Sequence, residues 1–128
     1  VRFRLGIDIL NAPTPGQGTF LFLQSASKNV AAGFTSLGAI GKRAETVGTD
    51  AAEDLLSYCS TGAALDPHLP DQIALYLSLC KGESVLTTSC ITHHLLTNLW
   101  VIARFHACTH TLDGEVGKPG SLAIHSNQ

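Results

Sequence analysis

The stretch "LTTSCITHHLLTNLWVIARF", residues 86–105, decides the fold because its period changes in the middle. "SVLTTSC" (84–90) is a short, largely β-branched and small-residue segment and reads as a strand. Thr92 then has N-cap chemistry, since its hydroxyl can accept a free N–H of the following turn. A helix is predicted over roughly 93–105. Leu95, Leu96, Leu99, Trp100, Ile102, Ala103 and Phe105 make it apolar most of the way round, which predicts that it is largely buried. A strand feeding directly into a buried helix calls for helices layered on a sheet.

The flanks extend that pattern. "STGAALDPHLPDQIALYLSLCKGE" (60–83) contains another helix, with Asp66 as N-cap and Pro67 at the first helical position. Pro70 still lies in the first turn, where a missing N–H costs little. Leu69, Ile73, Tyr76, Leu77 and Cys80 are its predicted buried face. "ACTHTLDGEVGKPGSLAIHS" (107–126) reads as two strands around a turn-rich middle at 113–120.

Further upstream, Ala44, Val47, Ala51, Leu55 and Tyr58 recur at helical spacing, so a helix is predicted over 44–59. Gly48 weakens its start, and the capping-box spacing of Asp50 and Glu53 places the true start near Thr49. "GFTSLGAIGKR" (33–43) carries three glycines and reads as a loop. "TFLFLQSA" (19–26) reads as a strand, and "NAPTPGQG" (11–18) as a turn. In residues 1–10, Phe3, Leu5, Ile7 and Ile9 alternate with Arg2, Arg4 and Asp8, the pattern of a half-buried strand. The predicted order is β-β-α-α-β-α-β-β, an α/β or α+β fold with helices on a sheet.

Composition narrows the function classes. The chain has 128 residues, 45% hydrophobic and 14% charged, which fits a globular domain. A net charge of −2 does not carry the footprint of a strongly basic nucleic-acid binder. Cys59, Cys80, Cys90 and Cys108 form no C-x-x-C pair, and they read as reduced, mostly buried thiols of a cytoplasmic protein. No apolar run reaches the roughly 18 residues of a membrane span. The chain has no Met and starts in mid-strand, as a piece of something longer would.

Chemistry concentrates at two helix starts. His93, His94, Thr97 and Asn98 occupy the first two turns of the helix over 93–105, with His94 and Asn98 at i, i+4. A helix N-terminus carries free N–H groups and positive partial charge, so it attracts phosphate and disfavours an imidazolium. A neutral imidazole keeps a lone pair for attack, which suits a histidine facing an anionic phosphorus centre. The same residues also fit a polar, solvated helix end. His68, Asp71 and Gln72 form a similar face, either a base-stacking ring with a ribose-binding carboxylate or a solvated cap. Lys42 and Arg43 could meet RNA phosphates or simply face water. His93, His94, His106 and His110 lack the order of a zinc site, and no G-x-S-x-G or P-loop is present.

Taken together, "PGQGTFLFL", "GFTSLGAIGKRAETVGTDAAEDLL", "STGAALDPHLPDQIALYLSL", "LTTSCITHHLLTNLWVIARF" and "GKPGSLAI" resemble, in order, the C-terminal part of the RNA 3′-terminal phosphate cyclases, bacterial and archaeal members above all. The resemblance implies three βαβαββ units, like the C-terminal domain of translation initiation factor three, with a smaller domain inserted before the third. Residues 1–62 would end the inserted domain and 63–128 would be the third unit. It implies ATP and Mg2+ as cofactors, an RNA with a 3′-terminal phosphate as partner, and no membrane. His94, not His93, takes the place of the histidine that is adenylylated, and His68, Leu69, Pro70, Asp71 and Gln72 match the adenylate-contacting stretch. His68 stands where many relatives have a tyrosine stacked on adenine. The family's N-terminal glycine-rich segments have no counterpart in these 128 residues, so as a complete protein the chain is expected to show little cyclase activity, and as a fragment to supply the nucleophile. The alternatives are a non-catalytic relative acting in ribosome assembly, a role for which the catalytic histidine is typically lost, and more remotely an enolpyruvyl-transferase-like enzyme, which would leave "HLLTN" unexplained.

Overall fold

The computed structural model describes residues 4–16 and 18–126. The first unit is a hairpin, β1 (Phe20–Ala26) and β2 (Ala31–Leu37), covered by helix α1 (Ala44–Thr61). The strands pair antiparallel from Phe20↔Leu37 to Ala26↔Ala31. Alternation sends Ala32, Phe34 and Ser36 inward, and α1 lays Val47 and Ala51 against the hairpin. Phe20 and Phe22 stack on the outer face with centroids 6.4 Å apart. Gly33 leaves room for that face, since a Cβ there would stand 2.7 Å from the Phe22 ring and the half-exposed ring would have to shift.

Residues 33–43 were expected to be a loop, yet β2 runs to Leu37 and only 38–43 turn. Glycine content argued against a strand, whereas ladder pairing to β1 and the room needed by Phe22 decide the outcome. Helix α1 also begins at Ala44, earlier than Thr49. Thr49 bonds back to the Glu45 carbonyl at 2.9 Å instead of capping. The helix ends at Gly62, whose φ of 67° is the left-handed conformation that glycine adopts freely.

Residues 4–10 do not form the predicted strand; Leu5, Ile7 and Ile9 are 78–89% exposed. Alternation marks a strand only when a partner edge is present, and among the described residues none pairs with this segment. Val1, Arg2 and Phe3, the rest of that segment's start, lie outside the described residues.

From Leu65 the chain builds a second layer pair. Leu65 bridges Thr88 in parallel, then follow α2 (Leu69–Leu79), β3 (Gly82–Thr88), α3 (His93–Phe105), β4 (Cys108–Asp113) and β5 (Gly120–Ser126). The sheet order is β3-β5-β4, antiparallel throughout. Its inner face carries Leu86, Leu112, Leu122 and Ile124, which pack with Ala74, Leu95, Leu99 and Ile102 of the two helices. Ile91, fully buried, locks the start of α3 to the β4–β5 turn, since its N–H donates to Lys118 O at 2.8 Å.

The α/β class holds, but two burial expectations do not. On α2, Pro70, Ala74 and Ser78 are buried, Leu69, Ile73 and Leu77 are half-buried, and Tyr76 and Cys80 are exposed. Apolar residues lie round much of this helix, so periodicity alone did not select the face; close packing against α3 chose the small residues. On α3, Leu95, Leu99 and Ile102 are buried, but Trp100 is 60% and Phe105 88% exposed. Within the described residues only one side of α3 is covered. The four cysteines are unpaired as expected, although none is fully buried.

Candidate functional site

The two polar helix starts converge. Asp66 Oδ1 accepts from the N–H groups of His68 (2.8 Å) and Leu69 (3.0 Å) in the turn just ahead of α2. The helix itself begins at Leu69 with His68 as its N-cap and Pro70 in its first turn, two residues later than the expected Asp66 cap and Pro67 start. Thr92 Oγ1 accepts from Leu95 N–H at 3.0 Å, which fixes α3 as its sequence predicts. Because α2 and α3 pack side by side, Asp71 in the first turn of one meets His94 in the first turn of the other. His94 Nδ1 lies 2.6 Å from Asp71 Oδ2. Asn98 Nδ2 donates to the Asp71 backbone carbonyl at 3.2 Å and ties the same two turns together.

This geometry assigns the ring. A carboxylate only accepts, so the hydrogen between them sits on Nδ1, and a neutral ring would carry its lone pair on Nε2. The Asp71 side chain is 11% exposed and that of His94 75% exposed, so the carboxylate is set in the wall while the ring faces outward. His94 is thereby held through Nδ1, with Nε2 on the side of the exposed ring away from the carboxylate. His93 is exposed beside it and gives only its backbone carbonyl, to Thr97 Oγ1.

His68 lies elsewhere. It borders a cavity of about 130 Å³ between the hairpin unit and the second unit. Phe34, Asp54, Ser57 and Tyr58 form one wall; Pro67, His68, Ser89 and Cys90 form the other. Phe34 and Tyr58 rings pack at 5.4 Å, and the Tyr58 hydroxyl donates to Ala64 O at 3.0 Å. Burial, then the charges of Cys59 and Asp66, hold the Tyr58 phenol above its ordinary value, so it stays a donor.

Of the residues singled out in sequence, His94, Asp71 and Asn98 are brought together and His68 lines the cavity. Pro70 is buried, Leu69 is half-buried and Gln72 is exposed. Lys42 is drawn into the hairpin unit by Asp50 at 2.7 Å and by Ser36 Oγ at 3.3 Å, and Arg43 lies 3.6 Å from Glu45, so neither is a bare phosphate-binding cation. Phe34, Asp54 and Ser89 escaped sequence reasoning because 20 to 55 positions separate them along the chain; no spacing rule joins them. The divalent ion implied by the resemblance needs several hard oxygen ligands. Among the described residues no group of three or more His, Cys, Asp or Glu is placed to hold a metal ion, and Asp71 already faces the imidazole. No helix among the described residues is long and apolar enough to cross a membrane.

Comparison with known proteins agrees with the sequence resemblance. The sequence model of the RNA 3′-terminal phosphate cyclases matches residues 3–112. A protein of that name from Methylococcus capsulatus is 47% identical over 119 residues, 93% of this chain and 32% of the relative. Those from Thermococcus kodakarensis (38% over 109 residues; 85% and 31%) and Pyrobaculum neutrophilum (44% over 91 residues; 71% and 26%) are also similar. The chain thus spans about a third of the length of the curated relatives it matches. With that span of matched sequence, the chain belongs to the RNA 3′-terminal phosphate cyclase family.

Proposed function

We propose that the protein carrying this chain converts an RNA 3′-phosphate to a 2′,3′-cyclic phosphate at the expense of ATP, with His94 as the residue that receives AMP. The observation that carries the reading is the Asp71–His94 pair at 2.6 Å, which leaves Nε2 as the open lone pair. In this reading residues 1–62 end an inserted domain and 63–128 form the third repeated unit.

The chemistry is three displacements at phosphorus. His94 Nε2 attacks the α-phosphorus of ATP; an N–P bond forms, and the bond to pyrophosphate breaks. An oxygen of the RNA 3′-phosphate then attacks the same phosphorus and expels the histidine. Finally the RNA 2′-oxygen attacks the activated 3′-phosphate, its proton leaves to a base or water, and AMP departs. Asp71 holds the Nδ1 hydrogen throughout and offsets the positive charge that grows on the ring as the N–P bond forms. In this reading the cavity that His68 borders seats the adenine, with the His68 ring as its stacking face. Leu69, Pro70, Asp71 and Gln72 act in this reading by shaping the first turn that carries Asp71. The described residues carry no donor set for the magnesium that the resemblance implies. No observation favours a non-catalytic role in ribosome assembly, since His94 is both present and oriented.

The test is incubation of the complete protein with ATP labelled at the α-phosphate. Covalent label disappears in His94→Ala and remains in His93→Ala. Label retained by His94→Ala refutes the assignment.

A further inference from the structure

One exposed face of α3 has no part in the chemistry proposed for His94. His93, Thr97, Trp100 and Arg104 stand at i, i+4, i+7 and i+11, so they share one stripe of the helix. All four are exposed, Trp100 by 60%. Arg104 lies over the Trp100 ring, 4.8 Å from its centroid, and the contact holds both long side chains in place. The stripe starts in the turn that carries His94. Trp100 follows about 9 Å further along the helix axis.

The charge of this region is one-sided. The chain has ten Asp and Glu residues, yet none lies between Glu83 and Asp113, a stretch that holds Arg104 and four of the six histidines. Among the described residues Arg104 forms no ion pair. Glu115, in the turn that Ile91 ties to the start of α3, is already bound by Lys118 at 3.3 Å. An apolar protein surface laid on the stripe would bury the guanidinium with no counter-charge. An acidic peptide would pair with Arg104 but give the indole nothing flat to stack on. A single strand of nucleic acid offers a flat base and an anionic phosphate at every nucleotide, which matches both groups.

We infer that this stripe seats the RNA strand just upstream of its reacting 3′-phosphate, with a base stacked on the side of Trp100 that Arg104 leaves open and Arg104 meeting a phosphate. The inference rests on the His94 reading given above. A stacked strand rises about 3.4 Å per nucleotide, so the base on Trp100 lies about three nucleotides from the end at His94. Stacking is tolerant of base identity, so the seat grips an RNA end whatever its sequence.

The experiment loads the complete protein with labelled AMP in the absence of RNA. It then follows transfer to an oligonucleotide bearing a 3′-phosphate, as a function of RNA concentration, for wild type, Trp100→Ala, Trp100→Phe and Arg104→Ala. All four are expected to label His94 at the same rate. Trp100→Ala should raise the RNA concentration needed for half-maximal transfer on the order of tenfold, and Trp100→Phe should recover most of that loss. Arg104→Ala should flatten the dependence of that concentration on salt, its logarithmic slope falling by about 0.7. Oligonucleotides with one abasic site, moved stepwise from the 3′ end, locate the contact. At one position the abasic site should weaken binding to wild type on the order of tenfold and cost Trp100→Ala nothing more. An unchanged RNA requirement in Trp100→Ala, or equal losses in wild type and Trp100→Ala at every abasic position, overturns the inference and leaves the His94 reading intact. Slowed labelling of His94 in both Trp100 variants also overturns it, since the stripe would then support the protein and not the RNA. Absence of label on wild-type His94 overturns both readings.

Discussion

Replacing Asp71 tests how the site works. Its carboxylate is nine-tenths buried and 2.6 Å from His94 Nδ1, whereas the His94 ring is largely exposed. A hydrogen bond to a charged group contributes roughly 1.5–3 kcal/mol when lost. Solvent around His94 argues for the lower part of that range, so Asp71→Ala should slow adenylyl transfer by about 30-fold, on the order of 2 kcal/mol. Asp71→Asn should do at least as badly. Its amide can turn an N–H toward Nδ1, which places the ring hydrogen on Nε2 and removes the attacking lone pair; the loss then approaches 10³-fold by analogy with other oriented histidines. Asn98→Ala removes only the 3.2 Å bond to the Asp71 carbonyl and should cost severalfold. The assay is single-turnover formation of the labelled His94 adduct, with ATP affinity measured separately by calorimetry. A positioning role predicts a reduced rate with affinity nearly unchanged and a melting temperature close to wild type. Adduct formation at the wild-type rate in both Asp71→Ala and Asp71→Asn would refute the role of the pair.

Two further outcomes follow from the same geometry. Thr92→Ala removes the hydroxyl that accepts Leu95 N–H and should destabilise the protein by about 1 kcal/mol, read as an earlier midpoint in urea; an unchanged midpoint would mean the cap is redundant. Burial first, and the Cys59 and Asp66 charges after it, raise Tyr58 above its usual pKa of 10.0, so the fold favours the neutral phenol. The unfolded chain therefore gives up its proton first: this contribution to stability is whole below about pH 10 and is lost as pH rises through the folded value. Denaturant titrations between pH 8 and 11 should show that alkaline loss in wild type and a shallower one in Tyr58→Phe; identical slopes would contradict it.

What the sequence made legible was local. Thr92 sits one residue before a helix that begins at His93, and a single hydroxyl bonded three residues on is enough to set that boundary. The β4–β5 hairpin was equally plain, because Gly114, Gly117 and Pro119 leave the turn few alternatives. What remained hidden depends on partners far along the chain. The β2 strand, misread for its glycines, exists through its ladder with β1, and the alternation of residues 4–10 has no ladder to join among the described residues. Helix faces were misjudged for the same reason: α2 and α3 are apolar over more than one side, and only contact between them chooses which side is covered. At the site, spacing showed His94 with Asn98 but gave Asp71 to a ribose or an amino group. The structure puts its carboxylate on His94, 23 residues away.

The placement of that carboxylate resolves a conflict inherent in the site. Helices α2 and α3 both present positive partial charge at their starts, a field that favours an anion and disfavours a cation. The same field works against the first step of the proposed chemistry. If Nε2 bonds to phosphorus as proposed, the ring becomes cationic in the first turn of α3, where a cation is disfavoured. A nucleophile placed there with no counter-charge would be well armed to start and poorly held at the end. Asp71 removes the conflict from the neighbouring helix. In the first turn of α2 a carboxylate is itself favoured by the helix field, so it is anchored where it is most stable. From there it lies 2.6 Å from the ring nitrogen that shares the new charge. In the proposed reaction, crossing two helix starts would thus let one field bind the anion and a single carboxylate stabilise the cation, which neither helix could do alone.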